Sequence, residues 1–173
     1  MKTQYARVTI LLFLASSVVF AVQARRFTRN DIEYELELPS PAWEVISTVD
    51  VHTHLEFVNG NDPANGHLRL RKIVVTQPTT ASELFRHDEK WELQHFAGYV
   101  VCSECNETAF KGRLSGDVFC YEYVISGRTM HDRIYYLQVD KHTFYSLRFT
   151  VAREKLQDMR AQMDFIAGSF QLK

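Results

Sequence analysis

The chain is poor in the residues that build common nucleotide-binding and catalytic motifs. Its 173 residues include only 7 glycines, 4 prolines and 3 cysteines. The glycines are isolated, so no glycine-rich turn between a strand and a helix is available to bind a phosphate group. The hydrolase motif GxSxG and the zinc-protease motif HExxH are both missing. We therefore expect a protein that is not an enzyme and that carries no cofactor.

The chain also lacks a strong charge of either sign. Lysine and arginine number 20 against 21 aspartates and glutamates, for a formal net charge of −1. Six arginines are dispersed among predicted strands and turns, where we expect solvated sheet surface and ion pairs. They are Arg69, Arg71, Arg128, Arg133, Arg148 and Arg153. Without a basic stripe, nucleic acid is not an expected partner.

Long apolar runs are missing except at the N-terminus. Basic residues precede an uncharged, largely apolar run over residues 8–22, which is short for a membrane span. Small residues at Val22 and Ala24 match the pattern that a signal peptidase reads. The sequence predicts a secretory signal peptide over residues 1–24, with a retained N-terminal anchor as the alternative. Residues 25–173 would then form one secreted or periplasmic domain.

The last third of the chain has the clearest periodicity. Three strand patterns, VFCYEYVI, RIYYLQV and TFYSLRFTV, are separated by SGRTMHD and DKH. The second and third alternate between two faces, and the short DKH link predicts an antiparallel hairpin. The helical pattern AREKLQDMRAQMDFIAG follows, with Gly168 as a candidate C-cap. Its apolar stripe, which we expect to pack on the sheet, is Leu156, Met159, Met163, Ile166 and Phe170.

Upstream patterns complete an α+β fold. Residues 32–38 predict an edge-like strand with acidic residues on its outer face, and residues 68–76 predict a second strand. Thr80 and Glu83 form a capping-box pattern that opens a helix to about His95. Shorter strands are predicted at residues 43–49, 54–58, 99–104 and 109–114. This order favours a mainly antiparallel sheet of about 6–8 strands sandwiched between helices.

Several of these segments carry a resemblance to a known family. LELPSPAWEV, the mid-chain strand followed by a helix, GDVFCYEYVISGR, DRIYYLQVDKHTFYSLRFT and the closing IAGSF resemble the PsbP-like superfamily, as in a bacterial-type exported member. The other branch of that superfamily is a Ran-binding nuclear transport factor. The resemblance covers residues 32–170 and implies an antiparallel sheet between helices. It implies no shared catalytic residues, and it implies a role in binding or assembling other proteins.

The three cysteines are the main chemical feature. Cys102 and Cys105 form a CxxC motif, and Cys120 follows 15 residues after Cys105. In an exported chain we expect a structural disulfide, either within the CxxC motif or from one of its cysteines to Cys120. Buried unpaired thiols, a redox pair and a metal site are the alternatives. A zinc site would need a fourth ligand, which folding could bring from His95, His131 or His142.

A second metal candidate is the pair His52 and His54. Two residues apart on a strand, these imidazoles would lie on the same face. With no third ligand nearby, surface histidines are the favoured interpretation.

Taken together, these features predict an exported protein-interaction or assembly module whose partner is another protein of the cell envelope or exterior. The alternative is a small-ligand or metal-binding protein. It would use a pocket between sheet and helix, or the cysteines and histidines.

Overall fold

The computed structural model describes residues 24–46, 55–105 and 107–173. The predicted signal peptide lies outside these residues, apart from Ala24. The strands within them are β1 (Arg25–Thr28), β2 (Tyr34–Leu38), β3 (Trp43–Ile46), β4 (Leu55–Asn59), β5 (His67–Val74), β6 (Val100–Val101), β7 (Thr108–Lys111), β8 (Ser115–Ile125), β9 (Arg128–Gln138), β10 (Thr143–Ala152) and β11 (Gln171–Leu172). The α-helices are α1 (Ala81–Trp91) and α2 (Leu156–Ser169).

Eight of these strands form one antiparallel central sheet. Its order is β3-β4-β5-β10-β9-β8-β6, with β7 also paired to β8. A second, small sheet has the order β1-β2-β11. The predicted α+β architecture with a mainly antiparallel sheet is confirmed, and so is the β9–β10 hairpin, in which Leu147 lies opposite Tyr135.

Each face of the central sheet has its own apolar core. On one face, alternate residues of β8, β9 and β10 pack with α2 and with β2, around side chains such as Leu147 and Phe149. On the other face, Phe119 stacks on Phe85 of α1 with ring centroids 4.4 Å apart. The two faces alternate because successive side chains of a strand point in opposite directions. We call them the α2 face and the α1 face.

The two helices follow their sequence signals closely. Met159, Met163 and Ile166 of the predicted stripe are buried along α2, and Phe170 is buried directly after the helix ends. At the start of α1, the Thr80 hydroxyl accepts from the Glu83 amide and the Glu83 carboxylate accepts from the Thr80 amide, which completes the capping box. The helix ends at Trp91, and a 3-10 turn, Leu93–His95, follows.

Two expectations about the layer over α2 are wrong. The acidic strand β2 is not an edge strand, because it lies between β1 and β11, and its Glu35 is buried against Arg26. Gly168 is not a C-cap, because α2 continues through Ser169 and the C-cap residue is Phe170. The glycine permits a close approach instead: a Cβ at Gly112 would lie 2.9 Å from the Gly168 Cα.

The segment between β8 and β9 is shorter than predicted. Only Ser126 and Gly127 form the turn, and both have positive φ, at 50° and 77°. Two such residues make the tight turn that matches the twist of an antiparallel hairpin. The rest of the predicted linker, including His131, therefore belongs to β9, where His131 lies opposite Glu122.

None of the helices in the described residues is long and apolar enough to span a membrane.

Candidate functional site

The three cysteines lie together where β6, the 3-10 turn Ser103–Cys105 and β8 meet. Cys105 and Cys120 form a disulfide, with Cα atoms 5.5 Å apart and both residues buried. This is one of the pairings that the sequence left open. Cys102 keeps a free thiol. Its backbone amide donates to the Cys120 carbonyl at 2.9 Å, so the loop with Cys102 is fixed to β8.

His131 and Glu122 lie beside the Cys102 thiol. The His131 Nδ1 atom is 3.9 Å from the Cys102 Sγ atom and 3.4 Å from Oε1 of Glu122. Ligand atoms of Cys102, Glu122 and His131 all lie within 4.8 Å of one another. The second carboxylate oxygen of Glu122 accepts a hydrogen bond from Arg153. A thiol, an imidazole and a carboxylate are ligand types that zinc uses in proteins.

Burial keeps the site uncharged around the thiol and the imidazole. It raises the pKa of the Cys102 thiol to about 11, with a further contribution from the negative charges of Glu122 and Glu104. Burial also lowers the pKa of His131, although Glu122 opposes that shift. The free thiol is therefore protonated at neutral pH, unlike the activated thiolate of a redox CxxC motif.

Of the three histidines considered as a fourth zinc ligand, folding brings His131 to the cysteines. His131 also belongs to a second cluster of possible ligand atoms, together with the disulfide-bonded Cys105 and Cys120. His95 lies in the turn after α1 and His142 bonds to the Val75 carbonyl at the β9–β10 turn. Neither belongs to a metal-ligand cluster among residues 24–46, 55–105 and 107–173. His52 and His54 lie outside the described residues.

Sequence reasoning missed Glu122 as a member of this site. The hairpin register places it opposite His131, and the alternation of β8 puts it on the same face as Cys120. The signal was present in the Ser126-Gly127 pair, since a two-residue turn fixes the pairing of every residue in the two strands.

A buried ion pair lies on the opposite, α1 face. Asp132, which is fully buried, accepts from the Arg148 Nε at 2.5 Å and from the Tyr121 hydroxyl at 2.7 Å. Arg148 also contacts Glu92, just beyond α1, at 3.2 Å. This network joins three adjacent strands, with Tyr121 in β8, Asp132 in β9 and Arg148 in β10.

Two further networks join the helices to the sheet, one for each helix. On the α1 face, Asp88 accepts from Arg71 at 3.2 Å and from Tyr136 at 2.8 Å. On the α2 face, Asp164 accepts from Arg133 at 3.1 Å and from Tyr135 at 2.5 Å.

The predicted ion pairing is confirmed for all six dispersed arginines. The predicted solvated surface is wrong for Arg133 and Arg148, whose side chains are largely buried. The other four side chains are at least 38% exposed. Arg148 compensates Asp132, which the fold removes from water, whereas Asp164, the partner of Arg133, remains 43% exposed.

A small cleft separates α1 from the sheet edge. It has a volume of about 250 Å³ and is lined by Ser82, Phe85, Arg86, Glu89, Val101, Glu107 and Phe119. Binding pockets for small molecules are usually about 300–1,000 Å³ and mostly apolar. This cleft is smaller and more polar than that. An open, mostly apolar cavity of about 430 Å³ beside α2 does fall within the range, and it is lined by Ala24, Pro39, Ser40, Ala161, Gln162 and Phe165.

Apolar side chains are exposed at the β6 edge of the central sheet. Val100 is 61% exposed, Ile125 54% and Val124 37%. Val124 is joined to the segment before β6, because its amide donates to the Ala97 carbonyl at 2.7 Å. We call Val100, Val124 and Ile125 the edge patch; Val100 and Val124 lie on one face of this edge and Ile125 on the other. Trp91, at the end of α1, is also 64% exposed.

These layers define the PsbP-like fold, an antiparallel sheet between helices. No family model matches the chain, and no curated protein matches its sequence. Among solved structures, the cyanobacterial PsbP (CyanoP) of Synechocystis sp. PCC 6803 is similar, with a TM-score of 0.63 and 12% identity over 90% of this chain and 96% of that one.

Two other solved structures share the fold. The Ran-binding protein Mog1p of Saccharomyces cerevisiae has a TM-score of 0.59 and 7% identity, covering 87% of this chain and 96% of its own. LpqN of Mycobacterium tuberculosis, which is involved in cell envelope biogenesis, has a TM-score of 0.54 and 14% identity, covering 87% of this chain and 91% of its own. The predicted PsbP-like fold is confirmed, and the likeness extends to the fold alone.

Proposed function

We propose that this chain is an exported, non-enzymatic module that binds another protein of the cell envelope or exterior. The edge patch carries this proposal. Val100 lies in a two-residue edge strand, and Val124 and Ile125 end the neighbouring strand β8. Exposed edge strands pair readily with extended segments of other chains, and exposed apolar side chains beside them add contact area.

The fold supports a binding role without identifying the partner. Among proteins of similar structure, Mog1p is a Ran-binding protein and LpqN is involved in cell envelope biogenesis. A location outside the cytoplasm agrees with the signal-peptide pattern at residues 1–24 and with the Cys105–Cys120 disulfide.

A capture experiment with matched variants tests the proposal. The wild-type protein and the variants Val100→Lys and Val74→Lys are each used as bait for envelope extracts of the native organism. Val74 is the control, since it is 68% exposed at the end of β5, away from the edge patch in the strand order. We expect one partner to be retained by wild type and Val74→Lys and lost by Val100→Lys.

Two outcomes would overturn the proposal. One is a wild-type bait that repeatedly returns alone. The other is a partner that Val100→Lys captures as well as wild type does, since binding would then not depend on the edge patch.

A further inference from the structure

We propose that Cys102, Glu122 and His131 form a zinc-binding site beside the disulfide, with a fourth coordination position open to water. The ligand atoms are the Cys102 sulfur, a Glu122 carboxylate oxygen and the His131 Nδ1 atom. This site shares no residue with the edge patch, although Val100 lies opposite Glu122 in the β6–β8 ladder, and it adds a metal to the proposed binding role.

The spacing of these atoms is close to that of a tetrahedral zinc site. Usual zinc–ligand bond lengths place a sulfur and a nitrogen about 3.6 Å apart, and a nitrogen and an oxygen about 3.3 Å apart. In this protein the Cys102 Sγ to His131 Nδ1 distance is 3.9 Å. The His131 Nδ1 to Glu122 Oε1 distance is 3.4 Å. Both distances are within a few tenths of an ångström of these values, and the Cys102 sulfur and a Glu122 carboxylate oxygen lie within 4.8 Å of each other.

The three ligands stand on fixed backbone. Glu122 and His131 face each other across the β8–β9 ladder. Cys102 is held to β8 by the hydrogen bond from its amide to the Cys120 carbonyl and lies three residues before the disulfide-bonded Cys105. Ligands on rigid elements bind a metal with little reorganisation.

The charges and outer contacts also suit a divalent ion. A thiolate and a carboxylate together neutralise the charge of Zn²⁺. Arg153 holds the Glu122 oxygen that is not near His131, and such outer hydrogen bonds commonly orient the ligands of metal sites. A three-ligand zinc site of this kind keeps one position open.

The disulfide decides which of two overlapping ligand sets is available. Cys105, Cys120 and His131 also lie close enough together to share an ion. Their two sulfurs are bonded to each other, however, and a disulfide offers no thiolate to a metal. In the oxidised protein the site therefore uses Cys102 as its sulfur ligand.

Metal titration of the purified full chain, with its disulfide intact, tests the site. We expect one Zn²⁺ ion per chain, and a thiolate charge-transfer band when Co²⁺ replaces Zn²⁺. Cys102→Ser and His131→Gln should each weaken Zn²⁺ binding by at least about tenfold, since even residues outside the ligand set contribute that much in known sites. Cys102→Ser should also remove the Co²⁺ band.

The double variant His52→Gln/His54→Gln is the matched control, because it removes the rival histidine pair. It should bind Zn²⁺ like wild type. A wild type that binds no Zn²⁺ would overturn the proposal. Undiminished binding by Cys102→Ser, or loss of binding in the double variant alone, would overturn it as well.

A measurement on wild type alone keeps the test independent of variant folding. Cys102 is the free thiol, so its alkylation by iodoacetamide reports directly on the site. We expect Zn²⁺ to slow this alkylation at least tenfold, and an unchanged rate would contradict a sulfur–metal bond.

Discussion

Tyr135 and Tyr136 are neighbours in β9, yet each serves a different helix. Tyr135 points to the α2 face and donates to Asp164, whereas Tyr136 points to the α1 face and donates to Asp88. In both cases an arginine of the sheet contacts the same aspartate. A pair of adjacent residues with opposite directions thus anchors both helices to one strand.

Among the polar contacts on the α1 face, the buried ion pair of Arg148 and Asp132 should contribute most to the free energy of unfolding. Asp132 has no exposed surface, so Arg148→Met would leave its carboxylate without the nearest compensating charge. Removing one member of a buried ion pair usually costs about 3–5 kcal/mol. We expect a loss of that size in the free energy of unfolding, measured by urea denaturation.

The control for this prediction lies directly across the strand pair. Arg69 is the ladder partner of Arg148 in β5, but its side chain is 52% exposed and its contact with Glu56 is 3.5 Å long. Arg69→Met should cost less than about 1 kcal/mol, as expected for an exposed pair. Equal losses in the two variants would show that burial of Asp132 is not the cause.

The start of α1 depends on Thr80. Thr80→Ala removes the hydroxyl that accepts from the Glu83 amide, which typically costs about 1 kcal/mol of stability. Thr80→Ser keeps that acceptor and should remain near wild type in urea unfolding. If Thr80→Ser loses as much as Thr80→Ala, the methyl group rather than the cap accounts for the effect.

The same cap makes part of the stability sensitive to acid. Hydrogen bonds from Thr79 and Thr80 lower the pKa of Glu83 below its usual 4.5. A carboxyl with a lowered folded-state pKa stabilises the fold at neutral pH, and its contribution is lost as the pH falls from the unfolded value through the folded one. Glu83→Gln should therefore unfold with a weaker dependence on pH below about 5 than wild type.

Among the elements, those with strong local patterns could be predicted from the sequence. The stripe of Met159, Met163 and Ile166 and the alternation around Leu147 describe α2 and β10 with no knowledge of their neighbours. Side-chain periodicity is a local property, so it remains readable in a single chain.

Features that depend on contacts between distant segments could not be predicted in this way. Strand β2 is the middle strand of the small sheet only because β11, which lies far away in the sequence, pairs with it. Gly168 lies close to Gly112, and the pattern that predicted a helix cap at Gly168 gives no indication of this contact. Cys102 joins Glu122 and His131 because β6 pairs with β8, and no local pattern of the sequence determines that pairing.

The Cys105–Cys120 disulfide links β8 to the loop that precedes β7. It closes a loop with a sequence separation of 15 residues, for which the loss of unfolded-state freedom corresponds to about 3 kcal/mol. The double variant Cys105→Ala/Cys120→Ala should lose stability by about that amount in urea unfolding. Cys102→Ala keeps the bridge and serves as the control.

Thiol counting gives an independent check on the pairing. Unfolded without reductant, wild type should expose one reactive thiol, that of Cys102. The measurement would contradict this pairing if Cys105 or Cys120 reacted in place of Cys102. A Cys102→Ala variant as unstable as the double variant would also contradict it.

The two ends of the described chain meet against the central sheet, and Phe170 lies at that junction. It follows α2 directly and precedes β11. Its ring centroid is 5.1 Å from that of Tyr34 in β2 and 4.9 Å from that of Tyr145 in β10. One side chain therefore packs the small sheet and the end of α2 onto the central sheet.

Phe170→Ala should consequently destabilise the molecule as a unit. Truncating a fully buried phenylalanine usually costs about 3–5 kcal/mol, because it leaves a cavity among its neighbours. Phe165→Ala is the matched control, since Phe165 lies in α2, which Phe170 directly follows, and is 40% exposed. Thermal unfolding followed by circular dichroism should show one transition, shifted far more by Phe170→Ala. The variant could instead show a separate early transition while the rest of the protein unfolds as in wild type. That result would mean that the small sheet and α2 are not coupled to the central sheet through Phe170.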